Sequence, residues 1–391
     1  MATLMNNRSA LQTCNTIVDL RSLARRRIPK VMFDYIDGGA EDEITLQRNC
    51  SSFSRYELLP HTLVDVSRIE LGTRIQGLEI ALPLIFSPTG ANRLFHHQGE
   101  LAVSAVAAAA GTVYALSSMS THSIETIGAH TAGDHWFQIY VWKDRGVVKE
   151  FITRCKASGY KGLCLTVDVP TLGQRERDLR NGMTIPPRFT LASLVDMALH
   201  PQWWWHTLCD PRITLANVVN KAGVGLNDAT ALGQYANSQL DPSVTWDDMA
   251  WMIQEWGGPF MIKGIMTAAD AKRAVACGVS GVIISNHGGR QLDHAPAPIE
   301  VLQEIVAGVG DSTEIILDGG IRRGSDVVKA LALGADACMI GRAYLYGLAA
   351  GGEAGVERAV TILRTEITRT MQLLGCADIK HLNGNFVRQR K

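Results

Sequence analysis

The chain has 391 residues, 46% of them hydrophobic, and sets 38 Lys+Arg against 38 Asp+Glu. That length can bury a large core, and no half carries a long basic run with interleaved aromatics, which argues against a nucleic-acid partner. The eight cysteines form no C-x-x-C pair and lie mostly inside apolar segments, which argues against a metal site and a disulfide framework and for buried free thiols in a reducing compartment.

The first thirty residues include Arg8, Arg21, Arg25, Arg26 and Arg27 but no apolar signal core. "IVDLRSLARRRIPKVMFDYIDGGAED" therefore reads as a helical segment leading into the folded domain rather than a targeting peptide. From residue 80 onward, short apolar runs alternate with helical patterns. The strand candidates are "LPLIFS" (82–87), "TVYALS" (112–117), "WFQIYV" (136–141), "GLCLTV" (162–167), "PFMIKG" (259–264), "GVIISN" (281–286), "EIILDG" (314–319) and "ACMIGR" (337–342). Between them lie Ala-rich stretches such as "TAADAKRAVACG", whose helical spacing ends at a glycine. Eight strand-then-helix units with non-alternating strands predict an α/β fold, a parallel (β/α)8 TIM barrel over about 80–350. The competing doubly wound sheet needs a G-x-G-x-x-G turn after its first strand, and none stands there.

One connection breaks the rhythm: an insert over about 178–244 follows strand four. Its centre, "TLASLVDMALHPQWWWHTLC" (190–209), is interrupted by Asp196, His200, Pro201 and His206 and does not suit a membrane span. Adjacent Trp203, Trp204 and Trp205 fit either a peripheral membrane contact or packing on the barrel or at a subunit interface. A helical tail covers about 352–391, and the whole chain, 1–391, reads as a single domain.

A barrel carries its chemistry at the C-terminal strand ends. "LDGGIRRGSDVVKALALG" sets Gly319 and Gly320 after a strand and before a helix, with Arg322 close by, and "MIGRA" repeats a Gly-Arg pair one strand later. Glycine-turn amides and a helix N-terminus at these positions suit a phosphorylated ligand. The loop "SNHGGRQLD" (285–293) adds His287, an imidazole that suits a general base once a carboxylate such as Asp168 orients it. Arg290 and Arg175 can grip a carboxylate bidentately. Lys263 puts positive charge at the end of strand five.

These motifs resemble the FMN-dependent L-2-hydroxy-acid oxidising enzymes, and the similarity covers roughly residues 15 to 380. "SNHGGRQLD" carries it, with "FDYIDGGAED", "SPTG", "WFQIYV", "LTVDVPTLGQRERD", "MIKG", "LDGGIRRGSDVVKALALGA" and "IGRA" around it. The resemblance implies His287 as the base, with Asp168 stabilising its charged form. Arg175 and Arg290 are implied to hold the substrate carboxylate, and Tyr35 and Tyr140 to hydrogen-bond the carboxylate or the reacting oxygen. FMN is implied against Pro88, Thr89 and Gly90, with Ser117, Gln138 and Thr166 on its ring, and Lys263 at the N1 and O2 edge. Ser285 joins the cofactor set, and Asp318, Gly320, Arg322, Gly341 and Arg342 surround ribityl and phosphate.

Met119 stands where glycolate oxidases carry Trp, and Gly90 where oxidases usually carry Ala. The chain therefore looks more like the bacterial membrane L-lactate and (S)-mandelate dehydrogenases. The expectation is oxidation of L-lactate to pyruvate by a homotetramer, with a quinone-type acceptor. The expected location is cytoplasmic, peripheral on the inner face of the cytoplasmic membrane through 190–209. The alternatives are (S)-mandelate as substrate, oxygen as acceptor, or a non-catalytic flavin-binding barrel. FMN binding alone needs none of His287, Asp168, Arg175 and Arg290, which argues against the last.

Overall fold

The computed structural model describes residues 9–184, 187–209, 213–218 and 238–390. Of the expected insert, 185–186, 210–212 and 219–237 lie outside the described residues.

Two helices lead in, α1 (Ile17–Arg27) and α2 (Lys30–Asp37). The single helical segment read from sequence is thus divided at Pro29, which has no amide hydrogen to continue α1 but suits the residue before a helix. Thr16 caps α1 through the Asp19 amide, and Asp19 returns a bond to the Thr16 amide.

Eight parallel strands follow: β1 (Leu84–Phe86), β2 (Tyr114–Ser117), β3 (His135–Ile139), β4 (Gly162–Thr166), β5 (Phe260–Ile265), β6 (Gly281–Ile284), β7 (Glu314–Asp318) and β8 (Ala337–Ile340). They pair in chain order, and β8 pairs with β1 to close the barrel. Both strand faces are buried, so the sequence shows continuous apolar runs. Ile85, Ala115, Trp136, Cys164, Met261, Ile283, Ile316 and Met339 fill the interior, while Leu84, Phe86, Leu116, Phe137 and Leu317 pack outward under the helices. A short hairpin, Thr73–Ile75 with Leu78–Ile80, adds Ile75 and Ile80 to the interior cluster.

The helices around the barrel include α3 (Gly99–Ala109), α4 (Ile124–His130), α5 (Arg145–Ala157), the insert helices α6 (Leu191–Ala198) and α7 (Pro201–Cys209), α8 (Trp246–Trp256), α9 (Ala268–Ala276), α10 (Pro298–Val309), α11 (Gly324–Ala332) and α12 (Arg342–Leu374). Non-helical backbone at Gly351 and Gly352 kinks α12.

The insert is anchored on one side and apolar on the other. Asp196 accepts from the Lys30 amide at 2.6 Å, and Trp203 Nε1 donates to the Leu94 carbonyl at 2.8 Å. Leu191, Leu194, Val195, Leu199 and Trp205 are exposed. Among the described residues, no helix is long and apolar enough to cross a membrane.

Candidate active site

At the C-terminal ends of the strands lies a cavity of about 440 Å³, within the range of small-molecule sites. Fifteen of the nineteen residues to which the resemblance gives a role line it: Tyr35, Pro88, Thr89, Gly90, Ser117, Tyr140, Arg175, Lys263, His287, Arg290, Asp318, Gly320, Arg322, Gly341 and Arg342. The other four stand just behind. Gln138 bonds Ser117, Asp168 bonds His287, Ser285 bonds Lys263, and Thr166 pairs in register with Lys263.

His287 is held from two sides. Its Nδ1 lies 2.9 Å from Asp168 Oδ1, and its amide donates to Ser285 Oγ at 3.1 Å. With Nδ1 engaged, Nε2 is the nitrogen left to exchange a proton. The backbone of His287 adopts φ 56°, ahead of Gly288 at 66° and Gly289 at 72°. A left-handed histidine costs on the order of 1 kcal/mol. Asp168 comes into place because β5 bulges between Lys263 and Ile265: Gly264 takes φ 109°, and a Cβ there would stand 2.8 Å from the Asp168 Cβ.

Lys263 is buried, and its Nζ lies 2.7 Å from Asp318 Oδ2 and 2.8 Å from Ser285 Oγ. Burial alone pulls a lysine pKa down, but Asp318 and then Asp168 hold this one above its ordinary value. Ser87 and Ser285 complete the shell of Asp318, each donating at 2.8 Å. The cation therefore stays charged at the cavity floor.

Two guanidiniums share one aromatic ring. Arg175 and Arg290 stand 5.2 and 5.1 Å from the centre of the Tyr35 ring. Arg175 also bonds Asp178 at 2.8 Å, a pair legible in "RERD" but not singled out from sequence. Burial and the charge of Arg175 pull the Arg290 pKa below its ordinary value, so an anionic ligand between them is favoured. Burial, reinforced by Asp168, raises the Tyr140 pKa and keeps it a neutral donor.

The far end differs in one respect from the anion site read in the sequence. The amides at the start of α11 are already engaged: Arg322 and Arg323 donate to Asp326 Oδ2 at 2.9 Å, and Gly324 donates to Glu366 at 2.7 Å. An anion is left the Gly319–Arg322 loop and the start of α12 at Gly341 and Arg342, which line the cavity. Arg342 also donates to the carbonyls of Ile36, Gly38 and Gly288 at 2.8–2.9 Å, so it clasps the N-terminal segment as well.

These surroundings fit FMN. Gln138 Nε2 and Thr166 Oγ1 are buried without a hydrogen-bond partner among the described residues, as expected of groups that serve a polar ring edge. Lys263 offers a cation near them, and the glycine loop with Arg322 offers an anion end. No cluster of metal-ligating side chains occurs among the described residues.

A family model described as FMN-dependent dehydrogenase matches residues 24–389. The chain belongs to this family. A Mycobacterium tuberculosis protein named "Putative L-lactate dehydrogenase" is 45% identical, over 96% of this chain and 89% of that one. An L-lactate oxidase of Nostoc sp. (strain PCC 7120) is 42% identical, over 97% and 99%. The solved structure of monotopic membrane protein (S)-mandelate dehydrogenase superposes with a TM-score of 0.93 at 39% identity, over 97% of this chain and 100% of that chain. The chain is thus an FMN-dependent oxidoreductase of the 2-hydroxy-acid dehydrogenase and oxidase family, on a TIM barrel.

Sequence reasoning passed over several residues of this site. Ser87 and Asp178 support named ligands, and Ile213 and Leu215 of the insert line the cavity. The insert residues carry no local signal, because only the fold brings them over the mouth.

Proposed function

We propose that this enzyme oxidises an L-2-hydroxy acid to its 2-oxo acid, with His287 as the base. The carrying observation is the His287–Asp168 contact of 2.9 Å beside the paired cations Arg175 and Arg290. The carboxylate is held by Arg175 and Arg290, whose planar donors match it. Tyr35 and Tyr140 donate to the carboxylate or the C2 oxygen. His287 Nε2 takes one proton, from the O–H or from C2–H, and Asp168 stabilises the imidazolium, while the other hydrogen leaves with the electron pair to the acceptor. FMN, when bound, is the two-electron acceptor. Pro88, Thr89 and Gly90 would flank it, Ser117, Gln138 and Thr166 would meet its ring, and Lys263 with Ser285 behind it would favour negative charge there. Asp318, Gly320, Arg322, Gly341 and Arg342 would surround its tail.

The outer wall favours a side chain larger than methyl. Met119, Leu172, Met183, Ile213 and Leu215 make it apolar, which supports (S)-mandelate or a similarly bulky acid. L-Lactate, the first expectation from sequence, keeps the support of the 45% identical relative. Electrons would leave to a quinone-type acceptor. The exposed apolar face of α6 with Trp205 supports peripheral attachment to the inner face of the cytoplasmic membrane, and Trp203 supports packing of the same insert on the barrel. The homotetramer implied by the resemblance is testable by light scattering.

The test is anaerobic bleaching of the bound flavin by L-lactate, (S)-mandelate, glycolate and the D-enantiomers, followed by air. Fast bleaching by an L-acid with slow reoxidation supports a dehydrogenase. Fast reoxidation makes it an oxidase, and no bleaching by any acid removes the proposal.

A further inference from the structure

Asn217 is 3% exposed and lies in a stretch of the insert without any group assigned to the reaction. Its Oδ1 accepts from the Ile124 amide at 3.0 Å and from Arg154 Nη2 at 3.2 Å, and its Nδ2 donates to Ser120 Oγ at 2.9 Å. Its carbonyl accepts from Arg154 Nη1 at 3.2 Å, and the neighbouring Ala216 amide donates to the Ser120 carbonyl at 3.2 Å. The surroundings call for an amide: Oδ1 meets two donors, while Nδ2 meets a hydroxyl whose own hydrogen goes to the His122 carbonyl. Ile124 opens α4, where an amide has no acceptor within the helix. Arg154 is itself forked onto Glu125 at 2.6 and 2.9 Å.

This pin joins two pieces of cavity wall. Ser120 sits between Met119 and Thr121, and Asn217 stands two residues beyond Leu215. Met119, Thr121, Ile213 and Leu215 all line the cavity. An apolar wall can discriminate among side chains only while it is held in place.

We propose that Asn217 is a positioning residue for substrate selection: it fastens 213–218 to Ser120 and Ile124, holds Ile213 and Leu215 in the wall of the cavity that Met119 also lines, and so favours 2-hydroxy acids with a bulky apolar side chain. The inference rests on the reading of this cavity as the hydroxy-acid site. It assigns selectivity to a residue that touches neither substrate nor FMN.

The experiment uses the full-length, flavin-loaded protein with a dye acceptor and reads the ratio of kcat/KM for (S)-mandelate to that for glycolate. Asn217→Ala is expected to lower this ratio about tenfold or more, mainly through the KM of (S)-mandelate, a magnitude usual for lost apolar contacts. Asn217→Asp keeps the acceptor and is expected to lower it less. A ratio within about twofold of the parent's in Asn217→Ala overturns the proposal. If Asn217→Ala is obtained without flavin, Ser120→Ala, which removes the acceptor of Asn217 Nδ2, decides: a fallen ratio supports the pin, and an unchanged one overturns it. A parent enzyme that prefers glycolate also overturns it, although 2-hydroxy-acid oxidation then stands. A parent whose flavin no 2-hydroxy acid bleaches overturns that underlying reading instead.

Discussion

Arg290 donates from Nη1 to the carbonyl of Tyr35 at 2.7 Å, and its guanidinium carbon stands 5.1 Å from the centre of the same residue's ring. The bond satisfies a carbonyl near the end of α2, where helical N–H donors run out, and it ties the N-terminal segment to the barrel mouth. Arg342 does the same at Ile36 and Gly38. The wall of the site that carries Tyr35 is therefore held by cations that themselves line the cavity.

Replacing Arg290 should be costly even when charge is kept. Lysine is a point donor without the planar fork. Arg290→Lys is expected to lower kcat/KM for the preferred acid by about a hundredfold, the scale of a lost buried charge-assisted contact. Steady-state kinetics at matched flavin content check this, and an unchanged KM would count against the carboxylate role.

The Lys263–Asp318 pair should behave as a unit. Breaking a buried ion pair from one side costs about 3–5 kcal/mol, because the other charge is stranded. Asp318→Asn and Lys263→Met should each destabilise the protein, and the double variant should lose less than the sum of the two. Urea unfolding of the three variants checks the coupling.

Asp37 gives the fold an acid limit. Burial would raise its pKa, but bonds from Arg21, Tyr346 and Arg177 hold it down at about 2. A carboxylate depressed from 3.8 to about 2 contributes stability that is fully present above about pH 5 and lost as pH falls toward 2, worth roughly 2 kcal/mol. Asp37→Asn should remove that dependence and loosen α2 against α12, which pH-dependent unfolding would reveal.

The eight barrel strands were legible because both faces of each are buried, so the apolar runs stand out whatever the packing. Their polar ends marked the mouth for the same reason: His287, Arg290 and Lys263 break an otherwise apolar pattern. The hairpin at 73–80 was not legible, since two three-residue strands around Gln76 and Gly77 leave too short a period to read. Asn217 was silent because an asparagine looks like surface until the fold buries it. The start of α11 misled in detail, because Asp326 and Glu366 already occupy the amides that seemed offered to an anion.

The insert should separate attachment from catalysis. Replacing residues 190–209 by a short polar linker removes the exposed Leu191, Leu194, Val195, Leu199 and Trp205. The variant is expected to leave the membrane fraction while keeping the barrel's circular-dichroism spectrum. A parent protein already recovered wholly without detergent would contradict the membrane role.

The most direct measurement is anaerobic, stopped-flow reduction of the bound flavin in His287→Ala, with flavin content measured in the same sample. The expected result is a full complement of flavin whose reduction by the preferred L-acid is slowed by about two to four orders of magnitude, the scale of a lost general base. Reduction at the parent rate would contradict the role of His287 and, with it, the account of the site.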